Sequence, residues 1–143
     1  DGHHLAPPVL RAMLRAKRER AILVSDATKF AGMVPGRYPS EIGGDVVLCE
    51  NGKLHTAENP NILAGSASGL DAGVANAVLH AGLSLAEAAD ALTLRPARAL
   101  GEPRLGTLAP GSPASFTLFD LGEGGVRVRE TVVAGRTVYR RED

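Results

Sequence analysis

The chain of 143 residues carries sixteen Lys or Arg against sixteen Asp or Glu, with a 44% hydrophobic fraction and 3% aromatic residues. Balanced charge offers no field to attract nucleic acid or an anionic membrane, and so few aromatics provide no stacking surface for bases. No basic leader with an apolar core opens the chain, no apolar run approaches the roughly 20 residues of a spanning helix, and the single Cys49 suits a reducing compartment, so a cytoplasmic globular protein is expected.

The chain starts without Met at Asp1-Gly2-His3-His4, which reads as the middle of a longer protein. Pro7-Pro8 then supplies the fixed φ of a first helical turn, and Val9, Leu10, Met13 and Leu14 recur on one face. A helix is expected over 8–19, with Arg11, Arg15 and Arg18 on a solvated face. The run Ala21-Ile22-Leu23-Val24 is apolar without alternation, the pattern of a short parallel strand covered on both sides. It ends at Ser25-Asp26-Ala27, and the carboxyl ends of parallel strands are where α/β folds gather their chemistry. Asp26 is therefore the first catalytic candidate, although an aspartate in that position also serves as an ordinary turn or cap residue.

Residues 30–44 hold Gly32, Pro35, Gly36, Pro39, Gly43 and Gly44 and read as a long functional loop. Asn51-Gly52, flanked by 45–50 and 53–56, predicts a hairpin whose two turn residues both take positive φ. A second loop, 59–69, contains Leu63-Ala64-Gly65-Ser66, small residues that let backbone approach a ligand or another segment. Helices are expected over 71–81 and from Ser84, where Glu87 completes a capping box, with a stop or bend at Arg95-Pro96. Alternation at 115–120, 126–129, 131–134 and 136–139 predicts short antiparallel strands. His55 and His80 match no metal-ligand spacing and read as structural or surface residues.

Asp1-Gly2-x-His4, Ser25-Asp26-Ala27, Leu63-Ala64-Gly65-Ser66, Pro96-Ala97 and Gly106-x-Leu108-x-Pro110-Gly111 occur in this order. Together they resemble the N-acetylglucosamine-6-phosphate deacetylases of the amidohydrolase superfamily, across essentially the whole chain and in that family's C-terminal part. The resemblance implies an α/β fold: the closing part of a metal-dependent hydrolase TIM (β/α)8 barrel over 1–104, including the last strand 21–25 and the hairpin 45–57, and strands of a small appended β domain over 105–143. A complete barrel takes about 250 residues, so only its final portion fits in this chain. One departure falls after Gly111, where the family continues with Ala-Asp and this chain reads Ala114-Ser115.

The resemblance further implies that Asp26 acts as general base and then general acid in hydrolysis of N-acetylglucosamine 6-phosphate to glucosamine 6-phosphate and acetate. It places His4 against the substrate, and Leu63, Ala64, Gly65 and Ser66 at the acetyl end of the site. His3 fills the family's variable position and is expected to be exposed, while Asp1 reads as a carboxylate that shapes the loop. A divalent metal, zinc or iron, is implied, with no ligand in this chain, since such a cation lowers the pKa of a water that a nearby carboxylate can deprotonate. By the same resemblance, the sugar phosphate is expected to be held elsewhere, by an upstream loop and a basic residue of a partner subunit in a homodimer. Other readings of the same residues are a different amidohydrolase, such as a cyclic-amide hydrolase, or a non-catalytic binding or assembly module built on the β-rich tail.

Overall fold

A computed structural model describes every residue except Ile42 and Asp143. Helix α1 spans Pro7–Lys17, with proline in its first turn as the sequence predicts, and a short 3-10 turn follows at Arg18–Arg20. Leu14 is the residue of α1 that is buried; Val9 and Met13 remain about half exposed, so the apolar stripe is only partly covered within this chain. Arg11 is exposed, as expected of a solvated face, and from there donates to the carbonyl oxygen of His80 at 2.6 Å, tying α1 to a later helix.

Residues 21–26 run without helix or ladder, and the burial expected for a doubly covered strand is absent: Ile22 and Val24 are exposed while Ala21 and Leu23 are half-buried. The physical reason is pairing. A strand needs a hydrogen-bonded neighbour, and among the described residues the only parallel pairing here is an isolated bridge between Ala27 and Ser66. The segment is held instead by single bonds: Leu23 N–H donates to Ala91 O at 3.0 Å, and the Arg95 guanidinium donates to the carbonyls of Arg18 and Ala21 at 3.0 and 3.1 Å.

The first sheet is β1–β2–β3, formed by Gly36–Tyr38, Val46–Leu48 and Leu54–Thr56, all antiparallel. The hairpin of β2 and β3 is where the Asn51-Gly52 signal puts it, but its turn differs. Gly52 alone takes positive φ (81°), Cys49 and Lys53 are joined by an N–H···O bond of 2.9 Å, and Glu50, Asn51 and Gly52 form a three-residue loop. The segment 30–44, expected as loop throughout, contributes strand β1. Its place is secured by Tyr38, whose ring lies 5.8 Å from that of Phe30, and by the Arg37–Asp45 ion pair at 2.8 Å. Phe30, Val46, Leu48 and Leu54 make a small core, with Tyr38, Ala64 and Ala67 packed against it.

Helix α2 (Leu70–Ala75) passes into a π-helical turn at Asn76–His80, where Ala81 N–H reaches back to Asn76 O at 3.0 Å. Helix α3 (Leu85–Leu92) begins with the predicted capping box of Ser84 and Glu87. The chain bends at Thr93, not at Pro96: proline occupies the first turn of a new helix, α4 (Leu94–Ala99), where its missing N–H leaves no bond unmade. Ala77, Ala88 and Ala91 are fully buried, and their small side chains allow the helical backbones to pack closely.

The second sheet is β4–β5–β6, from Phe116–Gly122, Gly125–Val133 and Arg136–Arg140, again antiparallel. The two expected strands at 126–129 and 131–134 are one continuous strand, β5, in which register shifts take up the break in alternation. Helix α2 packs on β5. The architecture is α/β, with two separate three-stranded sheets.

Candidate active site

The opening loop, the end of the extended segment and the loop 63–66 converge. Asp26 sits in the left-handed region at φ 53°, a conformation that aspartate tolerates better than most residues. Its side chain is 69% exposed. Its backbone is fixed from the far side: Ser66 N–H donates to Asp26 O at 3.0 Å, and Ser66 O accepts from the N–H of Thr28 at 2.9 Å and from its hydroxyl at 3.1 Å. Ser66 itself is buried, its hydroxyl oxygen accepting from Ser68 N–H at 3.0 Å.

The two segments can approach this closely because residue 65 is glycine. Gly65 has φ 83°, and a Cβ there would lie 2.5 Å from Thr28 Cγ2 and 3.4 Å from Asp26 O. Leu63 is bridged to His55 of β3, and Ala64 N–H donates to Leu54 O at 3.1 Å. The stretch Leu63 to Ser66 is thus a splint between the hairpin and the Asp26 turn, with Ser66 and Gly65 beside Asp26 and Leu63 and Ala64 toward β3.

His4 reaches the same place from the opening loop. Its Nε2 lies 3.8 Å from Asp26 Oδ2, too long for a hydrogen bond but within ion-pair range should the ring be protonated. Its Nδ1 lies 2.8 Å from Asp1 Oδ2, while Asp1 Oδ1 accepts the backbone N–H groups of His3 and His4 at 3.0 and 3.2 Å. His3, expected to be exposed, is half-buried and donates from Nε2 to Asn51 O at 3.2 Å, fastening the opening loop to the hairpin turn. His55 is half-buried with Nδ1 bonded to Thr56 O at 2.9 Å, and His80 is exposed.

Sequence reasoning singled out Asp26 and His4, which the fold brings together, but it missed how deeply Asp1 is engaged and the part played by Arg95. A buried carboxylate three residues before a histidine is a local turn signal that could have been read; the reach of Arg95 to Arg18 and Ala21 is not local and left no trace. Among the described residues, no group of three or more His, Cys, Asp or Glu side chains is placed to hold a metal ion. The residues around Asp26 therefore do not by themselves fit the divalent cation that the resemblance implies.

An exposed, backbone-anchored carboxylate with a histidine 3.8 Å away places two groups able to exchange protons side by side, and comparison with known proteins defines the class. The sequence pattern of the amidohydrolase family matches residues 70–139. A protein of Escherichia coli (strain K12), named as an inferred N-acetylgalactosamine-6-phosphate deacetylase, is 37% identical over 137 residues, which cover 95% of this chain and 78% of that protein. The N-acetylglucosamine-6-phosphate deacetylase of Bos taurus is 33% identical over 144 residues, 100% of this chain and 34% of the relative. The crystal structure of N-acetylglucosamine-6-phosphate deacetylase from Pasteurella multocida superposes with a TM-score of 0.84 at 28% identity, over 96% of this chain and 35% of that one. The chain therefore belongs to the amino-sugar-6-phosphate deacetylases of the amidohydrolase family. It spans about a third of the length of the bovine relative and of the Pasteurella structure.

Proposed function

We propose that the protein is part of a metal-dependent deacetylase that hydrolyses N-acetylglucosamine 6-phosphate to glucosamine 6-phosphate and acetate. The observation that carries this reading is the meeting of Asp26 and His4 at 3.8 Å in a chain whose relatives bear such names. In this reading, residues 1–104 are the closing part of a (β/α)8 barrel, and residues 105–143 are strands of a small β domain. The extended segment 21–26 is the last barrel strand, completed by neighbours from outside these residues. The divalent cation, zinc or iron, takes its ligands from outside this chain, the working enzyme is a homodimer, and its place is the cytoplasm.

The chemistry assigned to this chain is proton handling. Water attacks the acetyl carbonyl carbon while Asp26 accepts its proton. The amide nitrogen is a poor leaving group until protonated, so the same proton passes from Asp26 to nitrogen as the C–N bond breaks, giving acetate and the free amino sugar. The open face of Asp26 suits this shuttling, because a carboxylate sequestered by a permanent partner could not exchange its proton with both water and nitrogen. His4 hydrogen-bonds the sugar or the amide oxygen. Leu63, Ala64, Gly65 and Ser66 border the acetyl group.

A second reading of the substrate is the galacto epimer, favoured by the higher identity to the Escherichia coli relative. Acetate release by the complete protein, measured with both sugar phosphates, tests both readings. A higher kcat/KM for N-acetylglucosamine 6-phosphate is expected; a preference for the epimer would transfer the assignment to it, and no acetate from either would overturn the deacetylase reading.

A further inference from the structure

The chemistry above gives Asp1 no role, yet its side chain is only 6% exposed and holds both the turn at His3–His4 and the His4 ring. Oδ1 accepts the backbone N–H groups of His3 and His4, which locks the turn, and this leaves Oδ2 aimed at Nδ1 of the His4 ring at 2.8 Å. A carboxylate oxygen can only accept, so the proton in that bond belongs to Nδ1. The ring's other nitrogen, Nε2, is then the one turned toward Asp26.

We propose that Asp1 is a positioning residue that keeps a proton on His4 Nδ1, and so confines proton exchange by His4 to Nε2, the nitrogen facing Asp26. The proposal rests on the reading of His4 and Asp26 as partners in one active site. Fixing one ring nitrogen through the hydrogen bond made by the other is the general means of setting a histidine tautomer. Nε2 without its proton accepts a hydrogen bond from substrate, and with it donates one; Nδ1 can do neither, because its proton is held. Among the described residues, the charged groups within ion-pair range of this ring are the carboxylates of Asp1 and Asp26. His3 is directed away, toward Asn51 O.

Long-range proton–nitrogen correlation spectra of the complete protein test this, with the His4 signals assigned by their loss in His4→Gln. Across the titration of the imidazole, Nδ1 is expected to stay at a protonated shift while Nε2 alone moves. In Asp1→Ala, the neutral ring is expected to become a mixture of both tautomers. Loss of the Nδ1 proton in the wild-type chain would overturn the proposal, as would an Asp1→Ala chain that keeps the proton wholly on Nδ1. Should Asp1→Ala fail to fold, the wild-type titration decides the matter alone. The spectra require no substrate, so failure of the deacetylase assay leaves the assignment of Asp1 standing, and a mobile Nδ1 proton in an enzyme that releases acetate removes Asp1 alone.

Discussion

Ser66 N–H donates to Asp26 O at 3.0 Å, and through that one bond a buried serine on the loop after the hairpin fixes the backbone of an exposed carboxylate on another segment. The bond depends on the residue between them in space. Gly65→Ala would add a Cβ 2.5 Å from Thr28 Cγ2 at a φ of 83°. The backbone conformation alone costs about 1–3 kcal/mol for a residue with a side chain. A loss of stability of that size is expected, read as a lower urea midpoint at unchanged slope; in the complete enzyme a fall in kcat should accompany it, because Asp26 shifts with the loop.

Asp26→Asn tests the chemistry without disturbing the turn, since asparagine also accepts the left-handed φ that Asp26 adopts. In the complete enzyme the expected loss in turnover is about 10²–10⁴-fold, the range of a general acid–base group, with an unchanged circular dichroism spectrum. Turnover close to that of the parent would remove Asp26 from the reaction.

Leu54 is 1% exposed in the core beneath the first sheet, and its carbonyl also holds Ala64 at the head of the splint. Leu54→Ala leaves a cavity that these short strands cannot close, so a loss of about 2–5 kcal/mol is expected by chemical denaturation. The Ser66–Asp26 contact should loosen with it, visible as faster amide exchange at Ser66.

The capping box of α3 sets a pH dependence. The hydroxyl of Ser84 and then its backbone N–H hold the Glu87 carboxyl below the usual carboxylate range. A group with a depressed folded pKa contributes stability that is fully present above its unfolded pKa and is lost as pH falls through the lower folded value. Glu130 behaves in the same sense, through hydrogen bonds from Thr137 and then Arg140. Ser84→Ala is expected to cost about 1 kcal/mol at neutral pH. It should also flatten part of the acid limb of a stability-against-pH curve, leaving the Glu130 part; an acid limb identical to the parent's would exclude Glu87 as a contributor.

Legibility in the sequence followed the range of the interactions. Pro7-Pro8 and the Ser84/Glu87 pair act within one helical turn, and both helix starts lie where those residues put them. Asn51-Gly52 likewise marked the hairpin, while the turn type was decided by the bond between Cys49 and Lys53 that closes a three-residue loop. β1 was not legible, because Gly36–Tyr38 is a strand only by virtue of β2, and its anchoring by Phe30 and Asp45 comes from residues six or more positions away.

The sequence by itself determined the local elements, the nature of the candidate carboxylate and the order of motifs by which the family is known, since each of these depends on residue types and short spacings. Only the tertiary structure decided that Asp1 is buried against His4, that His4 turns toward Asp26, and that Ser66 holds the Asp26 backbone. The first is a short-range turn whose burial depends on the segments packed over it, and the other two join segments 22 and 40 residues apart, partners that no periodicity records.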